Sequence, residues 1–561
     1  MCIRDSNTMD IIGSELASII SSNAAGYNAT YYSDTNIILI DNYTATFNTS
    51  LVSSGTLFLD MNTIVNIAGS NECVAYSDYF LIEFLEAPSI TQVGGPATSQ
   101  EVCIDNAISM ITFKVEGSVS LIRLNSLDDN FTVKVDAKIP STFNGKKIYY
   151  RFLCQGILSE VGTTKTLPIN NPNKFNIAFC SCSNYPAGYF NAYKEMANDQ
   201  EIDLVLHLGD YLYEYSREGY ASKDAKKMGR VVNPSNEIIT LQDYRARYAT
   251  YRSDKDLQTL HKSKPMIAVW DDHEITNDTW KKGAQNHSPN EGSFDKRKNN
   301  AIKAYYEWMP IRETNKKEKI WRKFKVGNLI NLVMLDTRLY GRDKQLEISS
   351  YIKDEVLDKV QYKKDLNKPR NLLGREQLNW VNKSVSKDFK WSIFGQQLLI
   401  GPKYLPNIFK SEKLAGSRSY LTKQLAGEKL ATNTDQWDGY PKEREKFYQS
   451  IMNSQSNIIL AGDSHNSWFS NLYDKNKSFV GIEVGAPAIS SPSFGDSFKE
   501  ATESVEKAFI EENRDLIWVN GKYKGYVSMD IYEDFIDINF KYVSTVKSLS
   551  LIHISEPTSP E

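Results

Sequence analysis

Four short apolar runs in this chain stop at side chains of the types that bind metal ions. Phe175-Asn176-Ile177-Ala178-Phe179-Cys180 leads to Cys182, and Leu204-Val205-Leu206-His207-Leu208 leads to Gly209-Asp210, with Tyr213 three residues further on. Met266-Ile267-Ala268-Val269-Trp270 ends in Asp271-Asp272-His273-Glu274, and Asn457-Ile458-Ile459-Leu460-Ala461 ends in Gly462-Asp463-Ser464-His465. Thiolate, phenolate, imidazole and carboxylate together suit a ferric ion, whereas carboxylates and amide oxygens without imidazole suit a hard ion such as Ca²⁺. The expected arrangement pairs Cys182, Tyr213 and His465 in one site. An oxygen-rich neighbour uses Asp272 and Asp463, and Asp210 bridges the two. Each motif has a plainer reading when taken alone. A Gly-Asp after a strand is usually a turn, and a buried cysteine such as Cys180 is usually a small hydrophobe. Repetition at several strand ends favours the metal.

To converge, these residues must sit at the carboxyl ends of strands in packed sheets, where α/β proteins place their chemistry. From Lys174 onward the texture supplies such strands. Near-continuous apolar runs alternate with helical periodicity, as at Tyr244, Arg245, Tyr248 and Tyr251, and at Ala301, Ile302, Tyr305, Tyr306 and Met309. A further run over 329–335 ends in Asp336-Thr337-Arg338, and Trp391-Ser392-Ile393-Phe394 leads into Gly395-Gln396-Gln397. Arg338, closing a buried strand, is a candidate for a forked phosphate contact; pairing with Asp336 or Asp343 is the alternative. His273 is a candidate proton donor or phosphate contact. His207 reads as a satisfied core histidine, His261 and His287 as solvated, and the Tyr244–Tyr251 stripe as core packing.

Residues 7–88 and 89–170 differ in texture. They are rich in Ser, Thr, Asn and Ile, with short alternating runs such as Phe131-Thr132-Val133-Lys134-Val135, and read as all-β immunoglobulin- or fibronectin-like modules. Asn and Pro over 167–173 mark a linker to the body at 174–545. The first 120 residues carry thirteen acidic side chains against Arg4 and Lys114, a net of −11, so the rest of a chain of net charge −3 carries +8. A moderately basic body suits anionic substrates, but no dense Lys/Arg stripe argues for nucleic acid. No run of eighteen or more apolar residues argues for a membrane-spanning helix. The ends, 1–6 and 550–561, look like translated sequencing adapters and are set aside. The native N-terminus is then expected to be missing, and the lack of a signal peptide says nothing of export. One disulfide among Cys73, Cys103 and Cys154 remains open.

Taken together, Ser181-Cys182-Ser183-Asn184-Tyr185-Pro186, Leu206-His207-Leu208-Gly209-Asp210-Tyr211-Leu212-Tyr213-Glu214-Tyr215, Trp270-Asp271-Asp272-His273-Glu274, Leu335-Asp336-Thr337-Arg338, Gln436-Trp437-Asp438-Gly439-Tyr440-Pro441 and Gly462-Asp463-Ser464-His465 resemble the alkaline phosphatase D (PhoD-like) family over roughly 89–545. That family lies within the calcineurin-like metallophosphoesterases. The resemblance implies an α/β fold, a four-layer αββα sandwich, preceded here by the all-β modules. It implies Fe³⁺ with one or two Ca²⁺, held by Cys182, Asp210, Tyr213, Asp272, Asp463 and His465. Gln397 is added at a histidine-ligand position, with Gln396 competing for it. It further implies hydrolysis of phosphomonoesters and phosphodiesters. The expected mechanism is in-line attack by a metal-bound hydroxide, with His273 and Arg338 assisting and Trp437 and Asp438 shaping the pocket rim. The expected partner is a phosphate ester. The expected location is periplasmic, secreted or at the cell surface, with surface contact through the β modules. Two rivals are a diesterase acting on phospholipid or teichoic-acid-type polymers, and a catalytically silent Ca²⁺-binding surface protein.

Overall fold

The computed structural model describes residues 159–549, apart from 416–418 and the side chains of 413, 415 and 419. It also describes shorter stretches, chiefly strand backbone, between 28 and 158 and at 553–555. The chain divides into two units, Met1–Thr164 and Lys165–Glu561. In the first, the described backbone forms short strands, including a four-stranded sheet ordered Ile157–Leu158, Phe152–Cys154, Val119–Asn125, Tyr79–Phe84. The immunoglobulin-type reading of 7–88 and most of 89–170 otherwise lies outside the described residues. So do the side chains of Cys73, Cys103 and Cys154.

The second unit is built on two mixed sheets. One is ordered Met266–Ala268, Leu204–His207, Phe175–Cys180, Lys524–Ile531, Ile536–Val543, His553–Ser555. Its first three strands are parallel and the remainder pair antiparallel. The edge strand His553–Ser555 comes from the 550–561 segment set aside above. The other sheet is ordered Arg322–Val326, Ile330–Met334, Trp391–Gly395, Ser456–Ala461, Phe479–Gly485, Ser467–Tyr473, Leu516–Asn520.

Side-chain alternation along the second sheet shows what each face covers. Ile330, Leu332, Met334, Ile393, Ile458 and Leu460 share one apolar core with Ile177, Val205, Leu206 and Val527 of the first sheet. Their neighbours Val333, Leu335, Phe394 and Ile459 point the other way, onto Val381, Phe447, Tyr448 and Ile451 of the helices Gly374–Ser384 and Pro441–Ile451. A strand with period 2 that is apolar at every position must be covered on both sides. Each such side chain contributes on the order of 1.5–3 kcal/mol on burial. The outer side of the first sheet meets the helix Asn191–Asn198 at Lys524–Ile531 and Ile536–Val543, and that helix packs on Lys255–Ser263.

The helix Leu241–Arg252 links this packing to the site. Thr240 Oγ1 accepts the Asp243 N–H at 3.2 Å, and Asp243 returns a carboxylate oxygen to the Thr240 N–H at 2.8 Å, a reciprocal cap that fixes the first turn. Tyr244, Tyr248 and Tyr251 fill the core, as expected of the stripe. Two residues reach back to the loop after Leu204–His207: Arg247 donates to the Tyr213 carbonyl, and the Tyr251 hydroxyl accepts the Tyr213 N–H at 3.2 Å.

Candidate metal centre

The parallel strands deliver their carboxyl ends to one place, and the backbone there is unusual. Cys182 (φ 62°), Asp210 (φ 53°), Asp463 (φ 57°) and His465 (φ 63°) all adopt left-handed conformations. Non-glycine residues rarely do so, and they do it mainly where surrounding structure enforces a functional geometry. Two glycines let the turns approach. A Cβ on Gly209 (φ 108°) would lie 2.4 Å from Asp271 Cβ, and one on Gly462 would lie 2.7 Å from Ser181 Oγ. The two loops are then laced together, as Cys182 N donates to the Gly209 carbonyl at 3.2 Å and Ser183 N to the Asp210 carbonyl at 2.9 Å.

Three groups of potential ligands result, each with its ligand atoms within 4.8 Å of one another: Cys182, Asp210 and His465; Asp210, Asp272 and His273; and Asp271, Asp272 and Asp463. The phenol of Tyr213 joins the first, donating to Asp210 Oδ2 at 2.9 Å and lying 3.1 Å from His465 Nε2. His465 Nδ1 is 2.7 Å from the Pro492 carbonyl. A carbonyl only accepts, so Nδ1 carries the hydrogen and Nε2 presents its lone pair to the cluster.

Buried carboxylate oxygens without a hydrogen-bond donor remain on Asp210 (Oδ1), Asp271 (Oδ2) and Asp272 (Oδ1). Burial pushes the carboxyl groups of Asp210 and Asp271 well above the usual range and that of Asp463 to about 6, with Arg338 opposing the rise at Asp271 and Asp463. Burial and the Asp210 charge likewise raise the Cys182 thiol. Arg338 meets part of this charge, lying 3.4 Å from Asp272 Oδ1, but so many carboxylates out of water, with oxygens that accept no hydrogen bond, are costly unless further cations meet them. The donor set therefore fits metal ions: soft and phenolic ligands on one side, oxygens on the other.

The side chains around the cluster hold it in shape. Glu274 accepts the backbone N–H groups of Asp210 (3.1 Å), Tyr211 (2.5 Å) and Asp271 (2.7 Å), tying two ligand-bearing turns to one carboxylate. Glu214 Oε2 lies 2.7 Å from His273 Nδ1, and its Oε1 accepts from Asn277 N at 2.8 Å and Asn286 Nδ2 at 3.0 Å. Burial opposes charge on His273, but Glu214, Asp210 and Asp272 outweigh it and hold the imidazolium well above the ordinary histidine value. Spacing alone does not single out Glu214 or Glu274. Both stand inside motifs quoted above, as acidic residues next to candidate ligands with no water-facing role, and that is the signal the sequence offers.

The structure gives several of the expected site residues other contacts. Gln397 spends its whole carboxamide inside the protein. Its Nε2 donates to the carbonyls of Trp270 (2.7 Å) and Leu335 (3.1 Å), and its Oε1 accepts from Thr337 N (3.2 Å) and Thr337 Oγ1 (2.6 Å). Gln396 is likewise committed, accepting from Leu398 N and Trp437 Nε1 at 3.1 Å each. Arg338 is fully buried and pairs with neither Asp336 nor Asp343 through its side chain. It donates to Asp271, to Asp435 at 2.6 Å and to Asp463 at 2.9 Å, with Asp272 at 3.4 Å. Trp437 is buried rather than at a rim, and Asp438 is taken by Lys403 N (3.0 Å) and Arg444 (2.6 Å). His261 packs against Tyr211, its Nε2 2.8 Å from the hydroxyl, and His287 pairs with Glu291 at 3.2 Å, so neither is simply solvated. His207 matches expectation, buried with its Nε2 2.8 Å from the Tyr193 hydroxyl.

A cavity of about 1170 Å³, lined among others by Asn277, Asp278, Trp280, Lys344 and Asp435, adjoins the cluster. Asp278 N donates to Asp272 Oδ2 at 2.5 Å and Asp435 meets Arg338, so the cavity wall and the carboxylates are continuous.

Metal-ligand side chains gathered at the strand ends of two facing mixed sheets define an α/β protein with a candidate metal centre. The chain belongs to the PhoD-like phosphatase family, whose model it matches over residues 177–540. It is 35% identical over 419 residues to alkaline phosphatase D of Bacillus subtilis (strain 168), an alignment covering 72% of this chain and 64% of that protein. The chain thus spans just under two thirds of that relative's length. The solved structure of PhoD superposes with a TM-score of 0.58 at 32% identity, covering 74% of each chain. Among the described residues, no helix is long and apolar enough to cross a membrane.

Proposed function

We propose that the protein is a metal-dependent hydrolase of phosphate esters. The observation that carries this reading is the convergence of Cys182, Asp210, Tyr213 and His465 in one group, with Asp210 also grouped with Asp272, and Asp272 with Asp463, around buried carboxylate oxygens that accept no hydrogen bond. The first group would hold Fe³⁺, and Asp272 and Asp463 would hold Ca²⁺, with Asp210 common to both. When bound, the two cations supply Lewis acidity toward solvent and toward the phosphate oxygens.

The chain's own residues do the remaining work. His273, fixed through Nδ1 by Glu214, holds a proton on its other ring nitrogen for the departing alkoxide. Arg338 holds Asp271, Asp435 and Asp463 in place against their mutual repulsion, and so orients ligands rather than touching substrate. Gln397 ties together the ends of three strands and is no ligand. Family membership supports the phosphoester substrate, and the cavity beside Asp278 and Asp435 gives the alcohol portion room. Its volume leaves room for a bulky ester, such as a diester. Export to the periplasm or cell surface accords with the resemblance.

Metal analysis and the visible spectrum of the purified protein, with hydrolysis of nitrophenyl phosphate and bis(nitrophenyl) phosphate measured before and after chelation, test this reading. Iron and calcium near stoichiometry and chelator-sensitive turnover are expected. Turnover that survives complete metal removal would overturn it.

A further inference from the structure

The surroundings of the Tyr213 oxygen raise a question of hydrogen inventory. Three groups lie within hydrogen-bond distance: Asp210 Oδ2 at 2.9 Å, His465 Nε2 at 3.1 Å and Ser491 Oγ at 2.7 Å. A phenol that ligates a trivalent cation does so without its proton, and its oxygen then needs donors. Asp210 has none as a carboxylate. His465 has none at Nε2, because its hydrogen sits on Nδ1, turned to Pro492. Among the described residues only the hydroxyl of Ser491 can supply a hydrogen.

That hydroxyl has one competing acceptor, the Cys182 carbonyl at 2.9 Å. The carbonyl is already served by two backbone donors, Ser491 N at 3.3 Å and Ser490 N at 3.4 Å. The Ser491 hydrogen is therefore free to turn to Tyr213. The residue is fully buried, so no bulk water substitutes for it. It is held by the turn after strand Phe479–Gly485, while the neighbouring Ser490 hydroxyl is committed elsewhere, to the Asn184 carbonyl at 2.8 Å.

We propose that Ser491 is a positioning residue that tunes the iron ligand Tyr213 by donating a hydrogen bond to its phenolate oxygen. The inference rests on the ferric reading of the Cys182–Asp210–Tyr213–His465 group. A donor on a phenolate oxygen draws charge from it, and such charge-assisted bonds are about twice as strong as neutral ones. The ring then gives less charge to the ion, the ion stays a stronger Lewis acid, and phenolate-to-iron charge transfer needs more energy.

The test compares visible spectra of wild-type protein and Ser491→Ala, both loaded with ferric iron and matched for iron content. The variant's charge-transfer band is expected at longer wavelength, because the phenolate without its donor gives more charge to the ion. A band that stays in place at full iron content overturns the inference while leaving the ferric site intact. Absence of any such band in iron-loaded wild type overturns the ferric reading itself, so the two failures are told apart. Should the alanine variant fail to fold, Ser491→Cys keeps the bulk with a weaker donor. A smaller shift in the same direction supports the proposal, and no shift overturns it.

Discussion

The phenol oxygen of Tyr213 lies 3.1 Å from Nε2 of His465, although 252 positions separate them in the chain. Tyr213 arrives from the first sheet and His465 from the second, each through a left-handed turn at or beside the ligand. Gly209 and the Asp and His residue types tolerate those turns, but do not by themselves fix them. They are held by contacts made elsewhere: Arg247 and Tyr251 on the Tyr213 loop, Pro492 on His465. The site is thus assembled by the packing of the two sheets, and changes that loosen the turns should be felt there first.

Asp210 is the residue shared by both groups. Asp210→Asn keeps the shape, but removes a charge that two cations would share. Removing an outer partner of a metal site commonly costs 10–100-fold. Loss of this carboxylate should therefore lower phosphoesterase turnover by at least about a hundredfold, together with metal content. Full activity at full metal content would reject the bridging role.

Glu274 tests the turns rather than the ligands. In Glu274→Gln one oxygen that accepts backbone N–H groups becomes an NH₂, so donor faces donor inside the protein. The cost is about 1–3 kcal/mol of stability. Thermal unfolding should show a lower Tm, because even with the amide oxygen kept on the Asp210 and Asp271 N–H groups the Tyr211 N–H loses its acceptor. Metal titration should show a weaker affinity, because Tyr211 adjoins Asp210. Stability unchanged within error would mean that the carboxylate is dispensable to the turns.

Gln397 separates strut from ligand. Gln397→Ala breaks four hydrogen bonds and leaves the Trp270 and Leu335 carbonyls short of a donor. The expected result is a clearly lower Tm with metal stoichiometry preserved in the folded fraction. Loss of one equivalent of metal in well-folded protein would return Gln397 to the ligand set.

Much of the site is readable in the sequence because strand ends announce themselves. A near-continuous apolar run that stops at Gly-Asp or Asp-Asp-His could be a simple turn once, but hardly at several strand ends of one chain. Side-chain direction is not readable. Gln397 and Asp463 both follow strands of the second sheet, yet one amide turns inward onto carbonyls while one carboxylate turns to the cluster. Motif membership cannot distinguish these outcomes. Trp437 and Asp438 lie away from the expected rim for the same reason, since their partners Gln396, Lys403 and Arg444 come from other segments. Glu214 and Glu274 are marked only by lying inside the quoted motifs, because residues that hold ligands in place leave no spacing of their own.

His207 ties the fold to acid conditions. Gly209 N donates to its Nδ1 at 3.3 Å, so Nδ1 is the acceptor, and Nε2 carries the hydrogen toward the Tyr193 hydroxyl. Burial pushes its pKa down to about 3 from an ordinary value of 6.5. A histidine with a depressed folded pKa binds its proton more readily in the unfolded chain. Its contribution is therefore whole above pH 6.5 and is lost as pH falls from there toward 3, with a slope of up to about 1.4 kcal/mol per pH unit. Protonation would also break the bond to Gly209, the residue before Asp210. His207→Gln removes the titration. Urea unfolding between pH 4 and 7, with chelator present to suppress metal linkage, should show a shallower loss of stability in the variant than in wild type. Equal slopes would show that His207 does not govern acid sensitivity.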